Sequence, residues 1–143
     1  MIAKDPIQPI LKAVKEYLSN ITYDGSKVPV TTTFDSANDT YIMLSAPDSD
    51  DGGSTDDSFI FDVTVRVEVM TEFITGEEQE TPSNVIMGQV TELLTDEEYV
   101  NAVLNGFDLI VVAPFSSEKD TQQENVSSVI IKRKDFNFKV EQL

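Results

Sequence analysis

Apolar residues near the start of the chain recur every three or four positions, which is the spacing of one helix face. The stripe is formed by Ile10, Leu11, Val14, Leu18 and Ile21, with Lys12, Lys15 and Glu16 on the opposite side. Proline is tolerated in the first turn of a helix, whereas Pro9 deep inside a helix begun at Pro6 would cost a hydrogen bond. The pattern therefore predicts a first helix from near Pro9 to near Asn20.

A second helical stripe follows a typical start signal and consists of Ile86, Val90, Leu93 and Leu94. Thr81 is a good N-cap residue, and Pro82 suits the first helical position. Residues 95–98, Thr-Asp-Glu-Glu, match a capping box and predict a short third helix through 99–104 that ends at Gly106. We interpret the apolar stripes of the first two helices as faces that pack on the core.

Most of the remaining chain alternates apolar and polar residues, which is the period of a half-buried strand. The predicted strands are 28–34, 41–45, 59–73, 107–115 and 126–140. The 59–73 run would span roughly 50 Å at about 3.3 Å per residue, whereas the usual strand has about 5–6 residues. We therefore expect this strand to project beyond the core as one arm of a ribbon.

The last predicted strand changes its apolar face along its length. Val129 and Ile131 occupy odd positions, whereas Phe136 and Phe138 occupy even positions, so the change falls within 132–135. Successive side chains of a strand point to opposite faces, and a shift of one residue inverts them all. The pattern therefore predicts either a β-bulge or a change of packing surface at this point.

Three polar segments, at 48–58, 75–80 and 116–125, predict loops. The order of helix, three strands, helix and two strands is typical of an α+β domain. We therefore expect one domain over residues 1–143, with a single antiparallel sheet of about five strands, two to three helices packed on one face, and one long projecting strand pair. No apolar run approaches the roughly 20 residues of a membrane span, so no membrane partner is expected.

The composition removes much of the usual chemistry of active sites. The chain has no His and no Cys, which excludes disulfides, thiolate nucleophiles, imidazole bases and metal sites built on either ligand. Carboxylates, lysines, tyrosines and hydroxyls remain, and they would need strongly shifted pKa values to act as acids or bases near neutrality. The sequence therefore disfavours an enzyme, nominates no catalytic residue and indicates no cofactor.

The charge is unevenly distributed along the chain. There are 26 acidic and 10 basic residues, for a net charge of −16, and residues 35–108 contain 18 acids and one base, Arg66. The last segment is basic, with Lys132, Arg133, Lys134 and Lys139. The favoured interpretation is a solvated acidic surface balanced within the fold. The alternative is that opposite patches on one molecule form head-to-tail contacts between identical copies, which can close into rings.

The acidic 48–58 segment invites comparison with a calcium loop, because Asp48, Asp50, Asp51, Asp56 and Asp57 supply clustered oxygen atoms. The spacing does not fit an EF-hand. Counting from Asp48, the fifth position is Gly52 and the twelfth is Phe59, where an oxygen ligand and a bidentate Glu are required. A mobile, solvated loop is the favoured interpretation, and no metal site is predicted.

The basic cluster Lys132–Lys134 is too short, in an acidic chain, to predict ordinary nucleic-acid binding. Strand geometry sends Arg133 to the face opposite its two neighbours. A phosphate contact, a subunit contact and an intramolecular row of salt bridges all fit the pattern. An acidic surface would repel DNA, which is a usable property for a conduit.

Four stretches of the chain are similar to one known family. They are the opening helix 5–18, the turn 25–30 (Gly-Ser-Lys-Val-Pro-Val), the strand 59–67 (Phe-Ile-Phe-Asp-Val-Thr-Val-Arg-Val) and the ending 136–142 (Phe-Asn-Phe-Lys-Val-Glu-Gln). In their order and local sequence they resemble the tail-terminator, or tail-completion, proteins of long-tailed bacteriophages. The resemblance covers most of the chain, and no catalytic signature is part of it.

The resemblance implies a structural virion protein of the tail or neck, assembled in the host cytoplasm. Such a protein forms a hexameric ring that caps the tail tube, stops its polymerisation, and presents a docking face to the connector or stopper on the head side. The partners implied are other copies of the chain, the major tail-tube protein and that head-side protein, while DNA passes through the lumen without specific binding.

Two sets of residues are candidates for these contacts. The subunit or partner interface is assigned to Lys132, Arg133, Lys134, Lys139 and Arg66. The acidic residues that either face the lumen or lie exposed outside it are Asp48, Asp50, Asp51, Asp56, Asp57, Glu77, Glu78 and Glu80. Two alternatives stay open: a connector or neck subunit of the same particle, and an acidic decoy that mimics DNA and blocks a nuclease.

Overall fold

The computed structural model describes residues 2–35, 37–96, 104–123 and 126–143. Its elements in chain order are α1 (Ile7–Leu18), β1 (Thr22–Tyr23), β2 (Ser26–Lys27), β3 (Val30–Thr31), β4 (Thr40–Asp51), β5 (Ile60–Ile74), α2 (Thr81–Leu94), β6 (Phe107–Gln123) and β7 (Ser127–Gln142). No helix within the described ranges is long and apolar enough to cross a membrane. The predicted third helix falls mainly on 97–103, outside the described residues.

The expected single antiparallel sheet is wrong. The main sheet is mixed, with strand order β3-β4-β5-β7-β6, and a separate two-stranded sheet pairs β1 with β2. β3 runs parallel to β4, with Val30 opposite Ile42, while the other neighbours in the main sheet are antiparallel. Alternation identifies a strand but carries no information about the direction of its neighbour. The chain between Thr31 and Thr40 returns to the starting end of the sheet, which makes the β3–β4 pair parallel.

Both helices begin earlier than the sequence predicts. α1 starts at Ile7, and the Ile10 N–H donates to the Pro6 carbonyl at 3.1 Å. Pro9 thus lies in the first turn, where a backbone N–H has no partner within the helix, so its missing donor costs nothing. α2 starts at Thr81 with Glu80 rather than Thr81 at the N-cap position.

The hydrophobic core lies between the two helices and one face of the sheet. Val63, Val65, Val67 and Val69 of β5 are fully buried on this face. They form one cluster with residues from α1, α2 and the last strand, including Ile10, Val14, Ile86, Val90, Phe136 and Phe138. The apolar stripes of both helices and the odd positions of β5 therefore face the core as predicted. We call this side of the sheet the helix face and the other side the open face.

The change of apolar face in β7 is a change of packing surface and not a bulge. β5 and β7 pair without interruption from Ile60 opposite Glu141 to Ile74 opposite Ser127. Phe136 packs in the main core, whereas Ile131 joins a small separate cluster with Tyr41 and Met70. The register shifts of the sheet lie in β4 and β6 instead.

One of the three predicted loops, 116–125, is largely strand, and the first four residues of another, 48–58, belong to a strand. β4 continues to Asp51, and β6 continues through the polar segment to Gln123, whereas 75–80 is a turn followed by irregular structure, as expected. Residues 113–123 are exposed on both sides of the strand, apart from the half-buried Ser116. A strand without a buried face needs no apolar alternation, so its sequence reads as a loop. The expected single long strand pair is thus replaced by four strands of 12 to 17 residues.

Candidate subunit interface

The open face of the sheet carries a row of ion pairs between neighbouring strands. Arg66 of β5 lies directly opposite Asp135 of β7. Its Nε and Nη2 atoms donate to the two carboxylate oxygens at 2.9 and 3.1 Å. The Asp135 side chain is only 9% exposed, so this bidentate pair is largely removed from water. The hydrogen bond to Asp135 also raises the pKa of Arg66.

A second pair extends this row across three strands. Arg133 of β7 lies between Glu68 of β5 and Glu118 of β6 in the sheet register. Arg133 Nη2 donates to Glu68 at 3.0 Å, and Nη1 donates to Glu118 at 3.2 Å. The hydrogen bond to Glu68 is the main cause of the raised pKa of Arg133. The guanidinium therefore holds the three longest strands together at their middle.

The third ion pair of the row, between Lys139 and Asp62, lies near the start of β5. Lys139 Nζ lies 3.2 Å from Asp62 and donates to the Gly52 carbonyl at 2.9 Å. Lys139 thereby ties β7 to the turn that follows β4. Both side chains of this pair are 31% exposed, so the contact is more accessible than the Arg66–Asp135 pair.

Lys132 and Lys134 point to the helix face, opposite to Arg133, as the alternation predicts. Lys132 Nζ donates to Asn84 of α2 at 2.6 Å, and Lys134 Nζ donates to Thr91 at 3.0 Å. Lys134 also lies 5.8 Å from the centre of the Phe136 ring. The cluster that is contiguous in sequence is therefore divided between two faces, and each of its members has a partner within the chain. An additional role for these residues at a subunit interface stays a prediction.

The eight acidic candidate residues form two groups at opposite ends of β5. Asp48, Asp50 and Asp51 lie on β4 and Asp56 and Asp57 on the following turn, before β5 begins. Glu77, Glu78 and Glu80 follow the end of β5. Asp48 and Asp51 lie opposite Thr64 and Phe61 near the start of β5, whereas Glu80 pairs with Lys119, which the register aligns with Val69 in the second half of β5. They are two surfaces and not one.

The first group is exposed and organised by its own turn. The N–H of Ser54 donates to Asp51 Oδ1 at 2.9 Å, and hydrogen bonds from Ser54 lower the pKa of that carboxyl. The five aspartates are all exposed. In the part of the chain that the structure describes, no group of three or more acidic residues is arranged to hold a metal ion.

The second group is tied to its surroundings. Glu78 accepts from the Gly76 N–H through both oxygens, at 3.1 and 3.0 Å. Glu80 pairs with Lys119 of β6, and the hydrogen bond from Lys119 lowers the pKa of Glu80. The Glu78 contact is internal to the segment between β5 and α2, whereas the Glu80–Lys119 pair connects that segment to the edge strand β6.

Sequence reasoning missed the basic residues on the helix side. Lys12 and Lys15 are exposed on α1, and Lys27 is exposed at the end of β2. Lys15 and Lys27 line one shallow groove with Ser19, Val28, Pro29 and Val30. Lys12 and Lys15 were visible in sequence as the polar side of the first helix, but their proximity to Lys27 depends on the fold.

Comparison with known proteins identifies a similar fold in a solved structure. No family model and no curated protein sequence matches the chain. A chain in a solved structure described as "Virion of native gene transfer agent (GTA) particle" has a similar fold, with a TM-score of 0.62. The likeness covers 92% of this chain and 91% of the other, at 13% sequence identity. At this identity it establishes a shared fold over nearly the whole length of both chains.

Proposed function

We propose that the chain is a structural subunit of a phage-like particle and, more specifically, a tail terminator that forms a ring at the end of the tail tube. The observation that carries the proposal is the fold shared with a chain of a gene transfer agent virion over 92% of this chain. The family resemblance of the sequence supports the finer assignment to the tail terminus. The proposed function depends on the shape of the subunit and on its self-association, and no residue is assigned to catalysis.

The distribution of charge supports the proposal that the subunit assembles around DNA without binding it. Phosphate contacts require a basic surface. In the described residues, Arg66, Arg133, Lys119 and Lys139 are each paired with a carboxylate, while Asp48, Asp50, Asp56 and Asp57 are exposed. An acidic surface repels the DNA backbone, so a ring lined or rimmed by these aspartates would let DNA pass without adhesion.

The proposal is tested with the purified chain and the tail-tube protein of the same particle. We expect mass measurement in solution and negative-stain imaging to show rings, formed either alone or on tube ends. Added during tube assembly, the chain should shorten the tubes in proportion to its concentration, because a capped end no longer grows. A strict monomer that neither binds tubes nor changes their length would contradict the proposal.

The same mixture separates a terminator from a neck subunit. A terminator binds the tube end directly, whereas a connector subunit binds the head-side protein and leaves tube growth unchanged. Pull-down with each partner in turn distinguishes the two. A nuclease decoy would instead compete with DNA for binding to the nuclease, which an assay at low salt tests.

A further inference from the structure

The basic residues of the chain differ sharply in how far they are already neutralised. Arg66, Lys119, Arg133 and Lys139 form salt bridges, and Lys132 and Lys134 donate to α2. The other four of the ten are Lys4, Lys12, Lys15 and Lys27, and none of their ammonium groups has an ion pair with a described residue. The positive charge that is free to bind another molecule therefore lies in the first 27 residues.

Lys15 and Lys27 border a groove with the features of a docking surface. Its remaining lining residues are Ser19, Val28, Pro29 and Val30, so a short apolar strip lies beside two exposed ammonium groups. No carboxylate lines it. The groove beside it, along α1, differs because Glu16 lies next to Lys12 and Lys15 there. The Lys15–Lys27 groove is thus the more purely positive of the two.

The segment 48–57, which comprises the end of β4 and the turn after it and is called the acidic turn below, has the complementary charge in excess. Asp50 lies directly opposite Asp62 in the sheet, and like charges in that position destabilise a strand pair. The cation beside them, Lys139, is already shared between Asp62 and the Gly52 carbonyl. An external cation would therefore relieve repulsion at this turn.

The two surfaces are too far apart to neutralise each other within one chain. The groove adjoins Ile42, whose N–H donates to the Pro29 carbonyl at 2.8 Å, whereas the acidic turn starts at the other end of β4, at Asp48–Asp51, and continues beyond it. Six to nine residues of strand separate Ile42 from Asp48–Asp51 by about 20–30 Å, and the Debye length at physiological salt is about 8 Å. The opposite charges can meet only between molecules.

We propose that the acidic turn 48–57 of one copy docks on the Lys15–Lys27 groove of a second copy. The contact joins two different surfaces, so it is heterologous, and repeated contacts of this kind close into a ring when the rotation permits. The inference rests on the proposed ring and adds its contact surfaces. It places the subunit contact away from Lys132–Lys134, where the side chains already have partners within the chain.

Charge reversal and rescue test the contact. Lys15→Glu with Lys27→Glu should weaken ring assembly at least about tenfold, because like charges then face each other across the interface. Asp56→Lys with Asp57→Lys should weaken it similarly, and mixing the two double variants should restore assembly. Lys4→Glu with Lys12→Glu is the matched control, with the same change in net charge outside the groove. An equal loss in the control, or no rescue on mixing, would overturn the inference.

The absence of cysteine in the chain allows a direct test of proximity. Under mild oxidation, a mixture of Lys27→Cys and Asp56→Cys subunits should give a disulfide-linked dimer, and the double variant should give a covalent ladder up to the size of the ring. Rings without cross-links would refute this contact and leave the proposed function standing. A wild-type chain that never assembles would refute the proposed function itself.

Discussion

Arg66 and Arg133 on the sheet carry the same charge as Lys15 and Lys27 beside α1, but their surroundings are opposite. The two arginines hold carboxylates at 2.9–3.3 Å and lie between long strands. The two lysines are exposed and border a groove without an acidic residue. The arginines therefore stabilise the fold, whereas the lysines are free to contact another molecule.

A cluster of like charge in the sequence is therefore a poor guide to a binding surface in a sheet. Lys132, Arg133 and Lys134 are adjacent in the chain, yet alternation and cross-strand pairing give each a different partner. Lys15 and Lys27 are separated by a helix end and a hairpin, yet they line one groove. Whether a charged side chain can bind another molecule depends on the partners that it already has within the chain.

The largest expected effect is on the ion pair with the most buried carboxylate, that of Asp135. Asp135→Ala should lower the free energy of unfolding by about 2–3 kcal/mol, because it leaves Arg66 without its bidentate partner beside a second guanidinium. Urea denaturation measures the change. Asp57→Ala, the same substitution at an exposed position, should stay within about 0.5 kcal/mol of the wild type. An equal loss in the free energy of unfolding for the two variants would show that the paired Asp135 stabilises the fold no more than an exposed aspartate does.

A smaller loss is expected at the three-strand contact. Arg133→Met should cost about 1–2 kcal/mol, because Glu68 is then left almost buried without a cation. Adding Glu68→Leu should recover most of the loss, since the uncompensated carboxylate is removed with its partner. The same urea measurements decide this, and a double variant as unstable as Arg133→Met would show that the ion pair is not the cause.

The exposed Glu80–Lys119 pair should give an effect that depends on pH. The pKa of Glu80 is lowered by Lys119, so the pair stabilises the fold above the ordinary pKa of a glutamate, and the stabilisation is lost as the pH falls through the lowered value. The urea midpoint of Glu80→Gln should therefore lie below that of the wild type at pH 7, and the two should converge towards pH 3. A gap that is constant with pH would exclude this ion pair as its cause.

The smallest effect on stability is expected from the lysines of the groove. Lys15→Ala with Lys27→Ala should change the free energy of unfolding of the monomer by less than about 0.5 kcal/mol, because both side chains are exposed and neither forms a salt bridge with a described residue. Thermal or urea unfolding at concentrations below assembly checks this. A loss comparable to that of Arg133→Met would show that these lysines belong to the fold and not to a contact.

Periodicity predicted the elements that bury one face. The stripes of both helices and the odd positions of β5 are in the core, and even the face change of β7 was visible in the sequence. The second half of β6 was missed because both of its sides are exposed, so polar residues occupy every position. Helix starts were displaced because a proline in the first turn loses no hydrogen bond.

Contacts between residues far apart in the chain could not be predicted from the sequence. Arg66 and Asp135 are 69 residues apart, and their pairing follows from the register of β5 against β7. The parallel pairing of β3 likewise depends on the path of the chain between Thr31 and Thr40. The two acidic groups look like one region along the sequence, and only the length of the strand between them separates their surfaces.

The uninterrupted pairing of β5 with β7 has a mechanical consequence. Each of the fifteen residues of β5 is matched to one of β7, and both bulges of β6 lie outside this pair. A load along the strands is therefore shared by many hydrogen bonds at once and does not open them one after another. We expect the subunit to resist deformation most strongly along the axis of β5 and β7. The acidic groups near the two ends of β5 should therefore keep a fixed distance from each other.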